Sequence, residues 1–260
     1  MTSDPPPRSS STGKTVDLIR STTPSSSGIP TANVIVFGET GVGKSSVINM
    51  VTCVNVASTS GGARGCTFGS GRYIVHTPHV TLNLFDTPGL DQSQEPATYA
   101  GVVRLVRSMK DGVNLLVYVI RGPRLWDLES MVKHYRVLFE VICQQMVPIV
   151  VVVTGLEWEE PCDGWWCKNR YAFDHHDMMF SGHACITAIR GKFNKRANRY
   201  VLEDEYNESV VKVMDVIKTH YSTRPFKMER ASGFLAVLKT TFGGAAEQVF
   251  GPEVREPRSR

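Results

Sequence analysis

No stretch of this chain is apolar for the roughly 18 residues that a membrane-spanning helix needs. Its start, Met1-Thr2-Ser3-Asp4-Pro5-Pro6-Pro7, lacks the apolar core of a secretory leader. Cysteine is sparse: six in 260 residues, too scattered for a disulfide framework. Cys53, Cys143 and Cys185 fall inside apolar patterns and read as small core residues. Cys162 and Cys167 flank Asp163-Gly164-Trp165-Trp166, but no second paired-ligand motif follows, so no zinc site is expected. His175, His176 and His183 read as structural. Net charge is only +4, which gives no ground for a nucleic-acid partner. These absences point to a cytoplasmic chain with reduced thiols, meeting a membrane at its surface if at all.

A hydrophobic content of 42% is enough for a real core. The chain is organised around Gly38-Glu39-Thr40-Gly41-Val42-Gly43-Lys44-Ser45-Ser46, which fits the phosphate-binding loop pattern. The glycines let successive N–H groups turn inward around phosphates. Lys44 can reach the β- and γ-phosphates as a point charge, and Ser45 can offer its hydroxyl to a bridging Mg²⁺. Asn33 to Phe37 reads as a buried strand entering the loop, and Ser45 to Val51 as a helix whose N-terminus faces the phosphates.

Residues 1–31 are Ser, Thr and Pro with few large apolar groups, so they predict a disordered arm. Residues 54–71 are rich in Gly, Ser and Thr and lie where nucleotide switches keep a magnesium-binding Thr. Thr67 is the candidate for that role, with Thr59 second. Residues 72–76 and 80–85 predict a hairpin around Thr77-Pro78, hence one antiparallel edge strand. The second strand runs into Asp86-Thr87-Pro88-Gly89-Leu90. Asp at a strand end, 42 residues after Lys44, can hold magnesium through water, and the Gly89 N–H can meet a γ-phosphate.

Apolar periodicity then predicts a helix over 98–110, a strand over 113–120, a helix over 126–145 and a strand over 147–153. The alternation implies an α/β fold: a three-layer, mostly parallel sheet with helices on both faces. Residues 158–182 read as an aromatic-rich insert, either a packed extra helix started by Asp163 or a lid beside the base. His183 to Ala188 predicts a last strand, and 200–221 a last helix. Residues 32–221 are thus one domain, followed by a basic, partly amphipathic tail over 222–260 that can dock on the domain, on a partner or on a membrane surface. Arg190, Lys192, Lys195, Arg196 and Arg199 crowd into ten residues and read as a solvated loop or a contact with an anionic membrane.

At the end of the 147–153 strand stands Thr154-Gly155-Leu156-Glu157, where GTP-binding proteins carry Asn or Thr, Lys, any residue, then Asp. A carboxylate there accepts from N1–H and the 2-amino group of guanine, donors that adenine lacks. Glu157 can do so with one more methylene of reach, whereas Gly155 forfeits the packing of a Lys over the base. Thr187-Ala188 lies where a Ser-Ala pair offers a backbone N–H to guanine O6.

This ordered set resembles the translation-factor-related P-loop GTPases. Gly-Glu-Thr-Gly-Val-Gly-Lys-Ser-Ser and Asp-Thr-Pro-Gly-Leu look most like the septin-like branch, with its immunity-associated (AIG-type) and plastid-import-receptor members. The Gly-Cys-Thr, Thr-Gly-Leu-Glu and His-Ala-Cys-Ile-Thr-Ala variants look like the expanded G-domain proteins of mushroom-forming fungi. The resemblance implies a P-loop NTPase sheet holding GTP or GDP with Mg²⁺ through Lys44, Ser45, Thr67 and Asp86. It also implies dimerisation across the nucleotide face. Leu90 stands where Ras-type GTPases keep a water-orienting Gln, and Gln92 lies two residues further on, so slow turnover is expected. Three functions compete: a GTPase switch, a GTP-binding scaffold that assembles on itself or a membrane with little hydrolysis, and an ATPase, which Glu157 opposes.

Overall fold

The computed structural model describes residues 29–52, 71–90, 95–124 and 127–228. Its centre is a six-stranded sheet in the order β2-β3-β1-β4-β5-β6. The strands are β1 (Thr31–Phe37), β2 (Arg72–His76), β3 (Thr81–Asp86), β4 (Leu115–Arg121), β5 (Ile149–Thr154) and β6 (Gly182–Cys185). Among these six strands only β2 runs antiparallel, paired with β3 through a tight turn, as the hairpin pattern requires. The other pairings are parallel, which demands a crossover for each.

The helices α1 (Lys44–Thr52), α2 (Glu95–Ser108), α3 (Leu128–Tyr135), α4 (Gly164–Asp174) and α5 (Glu203–His220) include those crossovers. Side chains alternate along the strands, so the central ones feed two cores. Ile35, Phe37, Tyr118, Ile120, Val151 and Val153 pack with α2, α3 and α4 on one face. Val34, Val36, Val117, Val119, Val150 and Val152 pack with α1 and α5 on the other. Burial on both faces is why β1, β4 and β5 read as near-continuous apolar runs.

Several expectations need correction. The helix expected over 126–145 is α3 continued by a π-helical stretch, Arg136–Ile142. Its wider turn brings residues five apart onto one face, so Val137 and Ile142, both fully buried, share the core. Gln144 and Gln145, at φ 51° and 58°, then end it. The 158–182 segment is not an addition to the fold: α4 is the crossover that returns the chain so that β6 can pair with β5. Asp163 does not cap α4 with its side chain; its own backbone is already helical, and its carboxylate meets Lys212 Nζ at 3.0 Å. The last strand ends at Cys185, so Thr187-Ala188 lies beyond the sheet. The last helix starts at Glu203, because Tyr200 belongs to a short hairpin, β7 (Phe193–Asn194) with β8 (Arg199–Tyr200), where a loop was expected.

Chain beyond the expected domain end is tied to the body. Ser222 N–H donates to Asn114 O at 2.9 Å, and Val113 and Phe226 exchange two backbone hydrogen bonds of 2.8 Å. The arm over 1–28, Cys53, Cys66 and the amphipathic part of the tail lie outside the described residues.

Candidate nucleotide site

The strand order reverses at β1, which has β3 on one side and β4 on the other. A crevice opens at the carboxyl end of such a strand, and Gly38 to Ser46 occupies it. Gly38 has φ +148°, and a Cβ there would lie 2.2 Å from Val119 O. Only glycine lets the loop leave β1 so close to β4. Lys44 opens α1 with its side chain buried, Nζ donating to Gly38 O at 3.1 Å and Glu39 O at 2.8 Å. Burial pushes its pKa down to about 8, while the charges of Asp86 and Glu39 hold it up. A lysine kept out of water among acceptors is poised for an anion.

Asp86 reaches the same crevice from β3, in register with Val36. Thr87 fastens that strand end, its N–H at 3.2 Å and its hydroxyl at 3.0 Å from Val36 O. Burial raises the Asp86 carboxyl, and Lys44 and a hydrogen bond from the Ser45 hydroxyl lower it. Asp86 Oδ1 is buried with no hydrogen-bond partner among the described residues. A partnerless carboxylate oxygen beside a serine hydroxyl is the donor set of a hard cation, so these residues fit the Mg²⁺ that phosphate loops use. Gly89 then packs against the loop so closely that a Cβ would lie 2.1 Å from Thr40 Oγ1. Leu90 N–H donates to Gly38 O at 3.1 Å, and its side chain is buried in the core. The Asp86–Leu90 segment is thereby zipped to the phosphate loop.

The base motifs are placed differently from one another. Thr154 Oγ1 donates to Val42 O at 2.5 Å and lies 3.2 Å from Ile120 O, so this side chain binds β5 to the loop. Gly155 has φ +77°, and the space where its side chain would stand holds the stem of Arg121, 3.0 Å from a built Cβ. Glu157 and Thr187 line one cavity of about 440 Å³ with Ser209 and Lys212. The Thr187 N–H already donates to Ser209 Oγ at 2.9 Å, so Ala188 is the member of that pair left for a base. Thr67, Thr59 and Gln92 lie outside the described residues.

Two contributors escaped the sequence reading. Arg121 is one, at the carboxyl end of a central parallel strand. His134 is the other: fully buried on α3, with Nδ1 3.9 Å from Glu39 Oε1 and its ring 6.2 Å from that of Tyr99. It links the phosphate loop to α2 and α3. Its position three after Met131, on the apolar face of α3, was the available signal.

Strand, phosphate loop, helix and a strand-end Asp at the sheet's reversal make up the α/β fold of the P-loop GTPases. Residues 33–154 match the family model described as 50S ribosome-binding GTPase. No curated protein matches the chain. Among solved structures, Toc33 from Arabidopsis thaliana in complex with Mg²⁺ and GMPPNP is similar at a TM-score of 0.54 and 16% identity, over 77% of this chain and 89% of that one. A structure of the chloroplast translocon components atToc33 and psToc159, for which dimerisation is important for GTPase activity, gives 0.54 and 17% over 72% and 83%. Era in complex with MgGDPNP and a 16S ribosomal RNA segment gives 0.52 and 15% over 77% and 60%. At such identities the likeness is one of fold.

Proposed function

We propose that this protein binds GTP with Mg²⁺, hydrolyses it slowly and acts as a nucleotide switch. The observation that carries the reading is the meeting of buried Lys44 with the partnerless Asp86 Oδ1 at the end of β1 and β3. Lys44 and the loop N–H groups would bind the β- and γ-phosphates, and Ser45 and Asp86 would hold the metal. The ion would neutralise charge that develops on the phosphates. Thr67 is proposed as a further ligand. Glu157 and Ala188 select guanine. Water attacks the γ-phosphorus in line, a new P–O bond forms, the β–γ bridge breaks, and GDP and phosphate leave.

Slowness follows from Leu90. Its buried side chain and its bond to Gly38 fix it in the core, where it cannot orient water. A second copy across the nucleotide face is proposed to supply what Leu90 does not; the dimerisation dependence of the translocon GTPases supports this. The resemblance to the septin-like branch rests on the loop and Asp-Thr-Pro-Gly-Leu motifs.

Leu90 equally favours a second reading, a GTP-bound scaffold that barely turns over. Releasing the nucleotide from purified full-length protein and identifying it by chromatography tests both. GDP, with turnover per molecule rising as the protein is concentrated, supports the switch. Intact GTP at every concentration supports the scaffold, and adenine nucleotide overturns both.

A further inference from the structure

Between Ala188 and α5 the chain leaves the body as the β7–β8 hairpin, and every residue from Ile189 to Arg199 is exposed. The hairpin is nevertheless well built. Phe193 and Tyr200 pair across the strands with ring centroids 5.2 Å apart, edge to face. The Arg190 guanidinium lies 5.9 Å from the Tyr200 ring and 4.7 Å from that of Tyr206 on α5. Asn194 Oδ1 accepts from the N–H groups of Arg196 at 3.0 Å and Ala197 at 3.2 Å, which shapes the turn. Val201 N–H reaches Lys192 O at 3.0 Å.

Its chemistry is one-sided. No acidic residue occurs between Ile189 and Leu202. Arg199 pairs with Asp204 and Arg190 is spent on the tyrosine rings, while Lys192, Lys195 and Arg196 have no ion pair among the described residues. Beside these three cations stand three large apolar side chains in water: Ile189 at 51% exposure, Phe193 at 50% and Val201 at 59%.

We propose that this hairpin docks the protein on an anionic lipid surface. Lys192, Lys195 and Arg196 meet headgroup phosphates and carboxylates, and Val201, which shares the Lys192 face of the hairpin, enters the boundary with the acyl chains together with Ile189. Cations attract the surface and apolar side chains fix the depth, the combination that interfacial elements use. A single-stranded nucleic acid would need open aromatic faces for stacking. Here Phe193 and Tyr200 pack on each other, Tyr200 is covered by Arg190, and Ile189 and Val201 offer a nucleotide nothing. The docking stands apart from the nucleotide reading and does not depend on it. It differs from a tail anchor, since it uses only residues before α5.

The test is sedimentation of the full-length chain with phosphatidylcholine vesicles, with and without phosphatidylserine. Binding is expected only with the anionic lipid, weakening as salt rises. The triple substitution K192Q/K195Q/R196Q should lower partitioning about a hundredfold, at about fivefold per cation. The pair I189S/V201S, which leaves the Phe193–Tyr200 pairing intact, should lower it about tenfold. All five positions are solvent-exposed, so the melting temperature should hold and serves as the folding control. Vesicle binding that both variants retain would overturn the proposal and move the contact to the tail. So would absence of vesicle binding by the wild type, or binding of a labelled single-stranded RNA instead, lost in the triple variant.

Discussion

Lys44 is the residue where function and stability oppose each other most plainly. Lowering its pKa from 10.5 to about 8 corresponds to about 3 kcal/mol of disfavoured charge below that pH. That shift is what remains after the charges of Asp86 and Glu39 have held the lysine up, and its two hydrogen bonds to Gly38 O and Glu39 O do not reverse it. The charge of Lys44 adds no stability to the nucleotide-free fold. Lys44→Ala should therefore not lower the melting temperature of nucleotide-free protein, while abolishing the rise expected with GDP and Mg²⁺. A large loss of stability without nucleotide would show that the lysine is structural. Glu157→Ala tests base choice in the same way. It should cut discrimination of GDP over ADP by about a hundredfold in competitive titration, and unchanged discrimination would remove Glu157 from the site. The cysteines give a separate check on burial. Burial pushes the thiols of Cys143 and Cys185 up to about 12 and that of Cys162 to about 11, whereas Cys167 is exposed. Mass mapping after brief iodoacetamide treatment of native protein should find Cys167 labelled and Cys143 and Cys185 untouched.

At the scale of elements, α4 shows what a sequence hides. Its tryptophans announce a packed or a binding helix equally well, and only the parallel pairing of β6 with β5 makes it a crossover. Trp166 stacks on Phe173 at 5.5 Å and on the His183 ring at 4.7 Å, joining α4 to β6. Burial lowers the His183 pKa, opposed by Asp163 and assisted by Arg170. The unfolded chain therefore takes up that proton first as pH falls below about 6.5. Stability from the neutral ring is complete above that pH and declines as pH drops through the lower folded value. His183→Phe keeps the stack without the titration, so its melting temperature should fall less steeply than the wild type's between pH 7 and 5. Parallel slopes would mean that His183 titrates as if in water. The loop over 38–46 and the strand-end Asp86 were legible as neighbours in one crevice because the strand–loop–helix geometry fixes residue type and spacing. Thr154 was legible by position but not by contact: its bond to Val42 spans 112 residues, and no local pattern records it. The π-helical stretch after α3 and the β7–β8 hairpin were hidden for a related reason, since each depends on what the rest of the fold leaves room for.

The whole molecule has two ends with different tasks. The carboxyl ends of the strands hold the candidate site, and the opposite ends are closed by a polar ladder. Asn33 Nδ2 donates to Gly112 O at 2.7 Å, Asn83 Nδ2 to Asn33 Oδ1 at 2.9 Å, and Asn114 Nδ2 to Ser222 O at 2.8 Å. Through Asn114 the ladder runs from β1 and β3 into the segment after α5, where Phe226 then pairs with Val113. The periodicity of α5 stops at Tyr221, so the sequence assigns this segment to a tail; the hydrogen bonds assign it to the body. Chains ending at Tyr221 and at Met228 separate the two views. The shorter one loses two bonds at Asn114, two at Val113 and the packing of Phe226. At about 1 kcal/mol per bond, partly regained from water, it should be less stable by about 3 kcal/mol in urea unfolding. The longer one should lose none of that relative to full length if the body ends there. Because the ladder lies across the sheet from Lys44 and Asp86, the folded fraction of the shorter chain should bind GDP with unaltered affinity. Equal stability of the two truncations would return residues 222–228 to the tail.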